Sequence, residues 1–344
     1  MELLNLSSRV FGLDIGDLSL KMVLLEKTGK KIKVKCYGEK AVPQGYFERG
    51  EIKKEAEIAK IIKDFIKAQK IYTSYAVAVL PETKTFIKTI EIPVSEKGNI
   101  LENIKKEIEL YVPFKIEEIY FDWKIISQEN NKIKILVGVS SKNIIDSYLK
   151  VLKMAGLRPV SLEIESVAIL DALLDKKENF LKPLAVLDLG ATRSSLIIID
   201  EGVIQLTISL PHAGVNLTQA IAGDLKISFE EAQKIKREFC QNQKNDTVAK
   251  NITLFFNNLI QSLSSHLKFY EENSEKKIEK IIVCGGGANL PGLIACFEQN
   301  LKIKTIKGNP WINIFEKEPP IPEDQSLIYT TAIGLALRGL EENF

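Results

Sequence analysis

Histidine and cysteine are scarce in this chain. Two His and four Cys occur in 344 residues, and Cys36, Cys240, Cys284 and Cys296 form no C-x-x-C pair and stand at no ligand spacing from His212 or His266. That argues against a zinc centre or a disulfide framework. Net charge is equally scarce: 47 Lys and Arg face 45 Asp and Glu, leaving +2. So small an excess gives no reason to expect a nucleic-acid partner. Long apolar runs are missing too. Nothing approaches the ~18 to 20 uninterrupted apolar residues that cross a bilayer, and MELLNLSSRV lacks a signal peptide's charged, apolar and cleavage regions. The expected location is the cytoplasm, with membrane contact only through a partner. What is present is ordinary for a globular protein, 45% hydrophobic and 27% charged, in a chain long enough for two domains.

Periodicity divides the chain. RVFGLDI, SLKMVLLEK and KIKVKCYG read as strands of a meander. In AEIAKIIKDFIKAQK, Ile58, Ile61, Ile62, Phe65 and Ile66 form a helical stripe, and YAVAVL is a buried strand ending at Pro81. From about Thr83 the pattern becomes strand, helix, strand, strand, with Leu101, Ile104, Ile108 and Tyr111 on one helix face. This suggests a small inserted α/β lobe over 83–153. Residues 1–82, 154–183 and 325–344 are assigned to a first half, and 184–324 to a second, with a helical subdomain at about 225–275. The stripe from Ile252 to Leu267 in that subdomain reads as core, and EKEPPIPED as a loop before a last helix.

The second half repeats the opening of the first. Leu13-Asp14-Ile15-Gly16 and Leu187-Asp188-Leu189-Gly190 stand about 174 residues apart, each between apolar strands. A hairpin tip with glycine and free backbone amides lets phosphate approach the main chain, and two facing tips make a clamp. An aspartate at each tip would repel bare phosphate, so the pair makes sense around hydrated Mg²⁺. Gly285-Gly286-Gly287, read as a turn at a helix N-terminus, suits close approach to a nucleoside. One D-x-G is usually only a turn; two copies followed by strand-Gly-Gly-Gly-helix are more specific.

GLDIGDLSLK, LDLGATRSSLIIID, IIVCGGGANLPGL and YTTAIGLALRG resemble the first and second phosphate loops, adenosine motif and closing helix of the actin-like nucleotide-binding superfamily. That superfamily includes actin, heat-shock chaperones, sugar kinases and FtsA. Within it, IEIPVSEKGNILENIKKEIELYVPFKIEEIYFDWKII resembles the insertion of the PilM family of type IV pilus assembly. The resemblance implies a duplicated actin-like (ribonuclease H-like) α/β fold, two halves around a nucleotide cleft, with ATP and Mg²⁺ as cofactors. It also implies a cytoplasmic scaffold peripheral to the inner membrane, holding the N-terminal peptide of a PilN-like membrane protein and working with other pilus assembly components. Carried over by position, Asp14, Gly16, Ser19 and Lys21 serve the first loop, and Asp188, Gly190 and Thr192 the second. Gly285, Gly286 and Gly287 line the adenosine pocket with Lys236 near ribose and base. Asp14 and Asp188 hold the metal through water, and Glu165 is the catalytic candidate, orienting metal-bound water.

Three departures argue for binding with at most slow hydrolysis. Asp17 stands where relatives have Ser or Thr, Gln233 replaces a Glu, and ISLPHAGVNLT lacks a glycine pair and an arginine. His212 reads as a loop residue without chemistry. The short acidic C-terminus lacks the basic amphipathic tail of FtsA-like proteins. An actin-like ATPase or small-molecule kinase, and an FtsA-like filament former, stand as alternatives.

Overall fold

The computed structural model describes residues 10–29, 31–94, 100–129, 132–178, 180–242, 245–314 and 319–341. The outermost residues assigned to the first half, the start of the proline-rich loop and part of the inserted segment lie outside these, as does the side chain of Cys240.

The first half contains β1 (Phe11–Ile15), β2 (Ser19–Thr28), β3 (Lys31–Ala41), a small hairpin of β4 (Phe47–Glu48) and β5 (Glu51–Ile52), α1 (Glu55–Ala68) and β6 (Tyr75–Leu80). The inserted lobe follows as β7 (Thr85–Pro93), α2 (Ile100–Tyr111), β8 (Ile119–Glu129) and β9 (Lys132–Ser141). The chain returns through α3 (Lys142–Met154), β10 (Arg158–Ile164) and α4 (Glu165–Leu173). The second half comprises β11 (Leu184–Leu189), β12 (Ser194–Asp200), β13 (Val203–Leu210), α5 (Gly214–Leu225), α6 (Phe229–Asn242), α7 (Asp246–Ser274), β14 (Lys280–Cys284), α8 (Leu293–Leu301) and β15 (Lys304–Lys307). A short α9 (Glu323–Ser326) leads into α10 (Thr330–Glu341).

The duplication is visible in the sheets. One runs β3-β2-β1-β6-β10, the other β13-β12-β11-β14-β15. In each, the first three strands form an antiparallel meander and the last two join in parallel beside the first. Alternation along β2 shows why the first sheet is covered on both faces. Leu20, Met22 and Leu24 join a core that includes Ile58, Ile62 and Phe65 of α1, while Val23 and Leu25 join one formed with Ala332, Ile333 and Ala336 of α10.

α3 corrects the expected extent of the lobe. Its Tyr148, Val151 and Leu152 are buried in the first-half core, whereas the lobe's own core is built from Ile90, Ile104, Ile108, Ile119, Ile135 and Val137. On α2 only part of the expected stripe is inward: Leu101 and Tyr111 are exposed. The Tyr111 ring lies beneath the Lys88 ammonium. The stripe of α7 is core, with Ile260 half-buried at its edge. β15, in a stretch given no element from the sequence, is a four-residue edge strand with one buried side chain, too short for alternation to announce it.

α4 and α10 cross where both halves meet. A Cβ on Gly334 would lie 1.7 Å from the carbonyl oxygen of Ala168, so the crossing requires glycine. A backbone clash cannot be relieved by a rotamer change. Gly334→Ala is expected to destabilise the fold by about 2–3 kcal/mol, outweighing the ~1 kcal/mol gained from helix propensity. Denaturant unfolding checks this, and an unchanged or more stable variant would contradict the crossing.

Candidate nucleotide cleft

The two D-x-G segments occupy equivalent places. Asp14 is the penultimate residue of β1, opposite Lys21, and Asp188 the penultimate residue of β11, opposite Ser195. Their turns open into one cleft of about 750 Å³, within the range of roughly 300–1,000 Å³ typical of small-molecule sites. All the predicted site residues line it: Asp14, Gly16, Ser19, Lys21, Glu165, Asp188, Gly190, Thr192, Lys236, Gly285, Gly286 and Gly287. His212 is not part of the lining; its carbonyl accepts a hydrogen bond from Ser194 Oγ.

Local hydrogen bonds hold the tips. Gly16 N donates to Ser19 O at 3.1 Å, closing the first turn. The second is pinned by the start of α5, where Gly214 N donates to Gly190 O at 3.0 Å and Val215 N to Ala191 O at 2.8 Å. Lys236 Nζ donates to Gly214 O at 2.9 Å and Thr218 Oγ1 at 2.7 Å, so this lysine braces α5 while facing the cleft. The triple glycine differs from expectation. Gly286–Asn289 form a single 3₁₀ turn, and α8 begins only at Leu293. Gly285 has φ +76°, and a Cβ there would lie 2.3 Å from Asp188 Oδ1, so only glycine brings this strand end so near the second aspartate.

Charge dominates the floor. Lys21 Nζ lies 3.6 Å from Asp14 Oδ2 and donates to Ser19 Oγ at 3.0 Å. Burial nevertheless raises the Asp14 carboxyl above its ordinary value, opposed by Lys21 and assisted by Glu165. Asp188 is pushed up to about 7, chiefly by burial and then by Glu165, while the Cys284 thiol, donating at 3.6 Å, opposes the rise. Two buried aspartates opening on one cleft, of which Asp14 is ion-paired with Lys21, fit a hydrated cation. Among the described residues no three His, Cys, Asp or Glu side chains converge as direct metal ligands, so a cation here would be held through its water shell.

Sequence reasoning missed Arg193. From the tip of the second hairpin its Nη1 lies 3.5 Å from Asp17 Oδ1 and its Nε 3.2 Å from Glu165 Oε2, with all three side chains only 11–12% exposed. Although burial opposes its charge, the carboxylates of Glu165 and Asp17 raise its pKa further. The unusual Asp17 is therefore a partner for Arg193. The available signal was the simultaneous appearance of an acid in one tip and a base in the other.

Comparison with known proteins agrees with this architecture. The sequence model described as "Type IV pilus assembly protein PilM" matches residues 12–340. The chain belongs to the PilM family. A solved PilM–PilN type IV pilus biogenesis complex is similar over 97% of this chain and 99% of its own, with TM-score 0.85 and 25% identity. The cell division protein FtsA of Buchnera aphidicola (subsp. Schizaphis graminum, strain Sg) is 21% identical over 97% of this chain and 91% of its own length. MreB5 of Spiroplasma citri, solved bound to ADP, shares the fold over 95% of each chain, with TM-score 0.53 and 13% identity. The fold is thus actin-like, and this PilM-family chain is a scaffold component of type IV pilus assembly.

A second concavity, about 600 Å³, lies between the inserted lobe and the first half. The Val112-Pro113-Phe114 turn forms one lip, Lys84 and Phe86 of the lobe's root another, and Ile144 and Tyr148 of α3 line the other side. Tyr148 donates its hydroxyl to Gly50 O at 2.9 Å, anchoring α3 beneath the β4–β5 hairpin. No helix among the described residues is long and apolar enough to cross a membrane.

The raised Asp188 carboxyl fixes the sign of a pH effect. Because it titrates near 7 when folded against an ordinary value of 3.8, the folded state binds the extra proton between these values, and stability falls as pH rises from about 4 to about 7. Asp188→Asn is expected to gain on the order of 4 kcal/mol over the unsubstituted protein at pH 8 and little at pH 4. Thermal unfolding of nucleotide-free protein at both pH values checks this; equal gains at both would contradict it.

Proposed function

We propose that this chain is an ATP-binding scaffold on the cytoplasmic face of the inner membrane, and that it binds the N-terminal cytoplasmic peptide of a PilN-like membrane protein. The carrying observation is the convergence of both D-x-G hairpins and the triple-glycine turn on one cleft. The phosphates would lie between the tips at Gly16 and Gly190, and the nucleoside against Gly285–Gly287, with Lys236 and Gln233 nearby. Mg²⁺, bridged by water to Asp14 and Asp188, would neutralise phosphate charge. The PilN moiety of the similar complex supports a peptide partner. The groove at Phe114 and Lys84 is our candidate for it, because it combines exposed apolar surface at Phe114 with the root of the inserted lobe. Other pilus assembly components would meet the remaining surface.

Cleft and groove share a junction. Glu82 N donates to Glu165 Oε2 at 3.4 Å, Ser166 N donates to Glu82 Oε2 at 3.2 Å, and the Thr207 hydroxyl also bonds the Glu82 carboxylate. Residues 82–84 lead directly into the groove. A nucleotide that changes how the halves sit around Glu165 would therefore move the groove's root, a population shift driven by differential binding.

Calorimetric titration of the PilN-like peptide tests this. With and without Mg-ATP, affinity is expected to differ about five-fold or more, and Glu82→Ala is expected to bring that ratio toward one. Identical affinities in the unsubstituted protein would contradict the coupling.

A further inference from the structure

Arg193 is used neither by the phosphate loops as carried over from relatives nor by the partner groove. Its two carboxylate partners sit on separate parts of the molecule: Asp17 at the tip of the first half's hairpin, and Glu165 at the first residue of α4. Nearby cations have other contacts. Lys21 faces Asp14 and Ser19, and Lys236 braces α5. Arginine suits the bridging position because its planar fork offers donors to two carboxylates at once, which a lysine ammonium meets less well. Burial keeps the bridge from being screened away by salt.

We propose that Arg193 is a positioning residue that ties the two sides of the cleft together, fastening the first hairpin to the second through Asp17 and holding the Glu165 carboxylate away from water. Glu165 Oε2 receives the Glu82 amide as well as Arg193 Nε, so that oxygen has two donors from the protein itself. Opening the cleft separates Arg193 from Asp17. Nucleotide phosphates entering between the tips would compete with Asp17 for the Nη1 side of the guanidinium while Nε stays on Glu165. The side chain expected to orient water then remains occupied with ATP bound, which gives the expected slow hydrolysis a structural cause.

Hydrogen–deuterium exchange on nucleotide-free protein tests the tie without reference to ATP. In Arg193→Gln and Asp17→Ala, amides at 14–20 and 188–195 are expected to exchange at least about five-fold faster. Both variants exchanging like the unsubstituted protein would overturn the tie. Should Arg193→Gln not fold, Asp17→Ala decides alone, since it removes one arm of the bridge with little volume. A single-turnover arm rests on the nucleotide reading above. Arg193→Gln is expected to convert bound ATP about ten-fold faster, a gain abolished in Arg193→Gln/Glu165→Gln and absent in Asp17→Ala, where Arg193 still holds Glu165. Unchanged or slower conversion in Arg193→Gln would overturn the withholding of Glu165. Failure of every protein to retain nucleotide would sink the nucleotide reading and this arm, while the exchange result would still judge the tie.

Discussion

Two sheets of identical strand order, set so that their first hairpins face one another, must bring the ends of β1 and β11 together, and each of those strands ends in Asp-x-Gly. Like charge is thereby forced into one cleft. Asp14, Asp17, Glu165 and Asp188 share the lining with Lys21, Lys236, Arg193 and Arg237, and the cations do not serve the acids evenly. Asp14 faces Lys21, yet burial still raises its carboxyl, and Asp188 is raised by burial and then by Glu165. Asp17 and Glu165 take Arg193. At an effective dielectric of about 20, a contact near 4 Å is worth about 4 kcal/mol of attraction, yet desolvation costs several kcal/mol per ion. The bridge is therefore specific in geometry while modest in net energy, which suits a contact that a multivalent anion can displace.

The same constraint shapes the rest of the molecule. Linker helix α4 begins at Glu165, inside the cleft, and packs along α10 through a crossing that only glycine permits at position 334. Its first turn also meets Glu82, the residue from which the inserted lobe departs. The lobe touches the second half through Thr89 Oγ1, which donates to Ile204 O at 2.7 Å, and frames the groove on its other side. Cleft, α4 and groove are thus contiguous through buried contacts.

Much of this was legible in the sequence because the signals were long or doubled. The repeated LDIG and LDLG segments announced the duplication, and continuous apolar runs such as YAVAVL and LAVLDL marked strands covered on both faces. The residues lining the cleft could be named because hairpin tips and strand–glycine turns tie chemistry to local sequence. What escaped was non-local or short. Arg193 acquires its meaning from Asp17 and Glu165, which are distant in the chain. α3 looked like part of the lobe by adjacency, but its buried face belongs to the first-half core. β15 has four residues, and the glycine run forms its own turn ahead of α8.

The central claim, a cleft that holds nucleotide more than it consumes it, is tested most directly by single turnover on the unsubstituted protein. The protein is loaded with Mg-ATP, freed of unbound nucleotide, and followed for retained ATP and ADP. The account predicts bound ATP that persists far longer than the roughly 1–100 s⁻¹ turnover of phosphoryl-transfer kinases would allow. Conversion to ADP at such rates, or a cleft that retains no nucleotide, would contradict it.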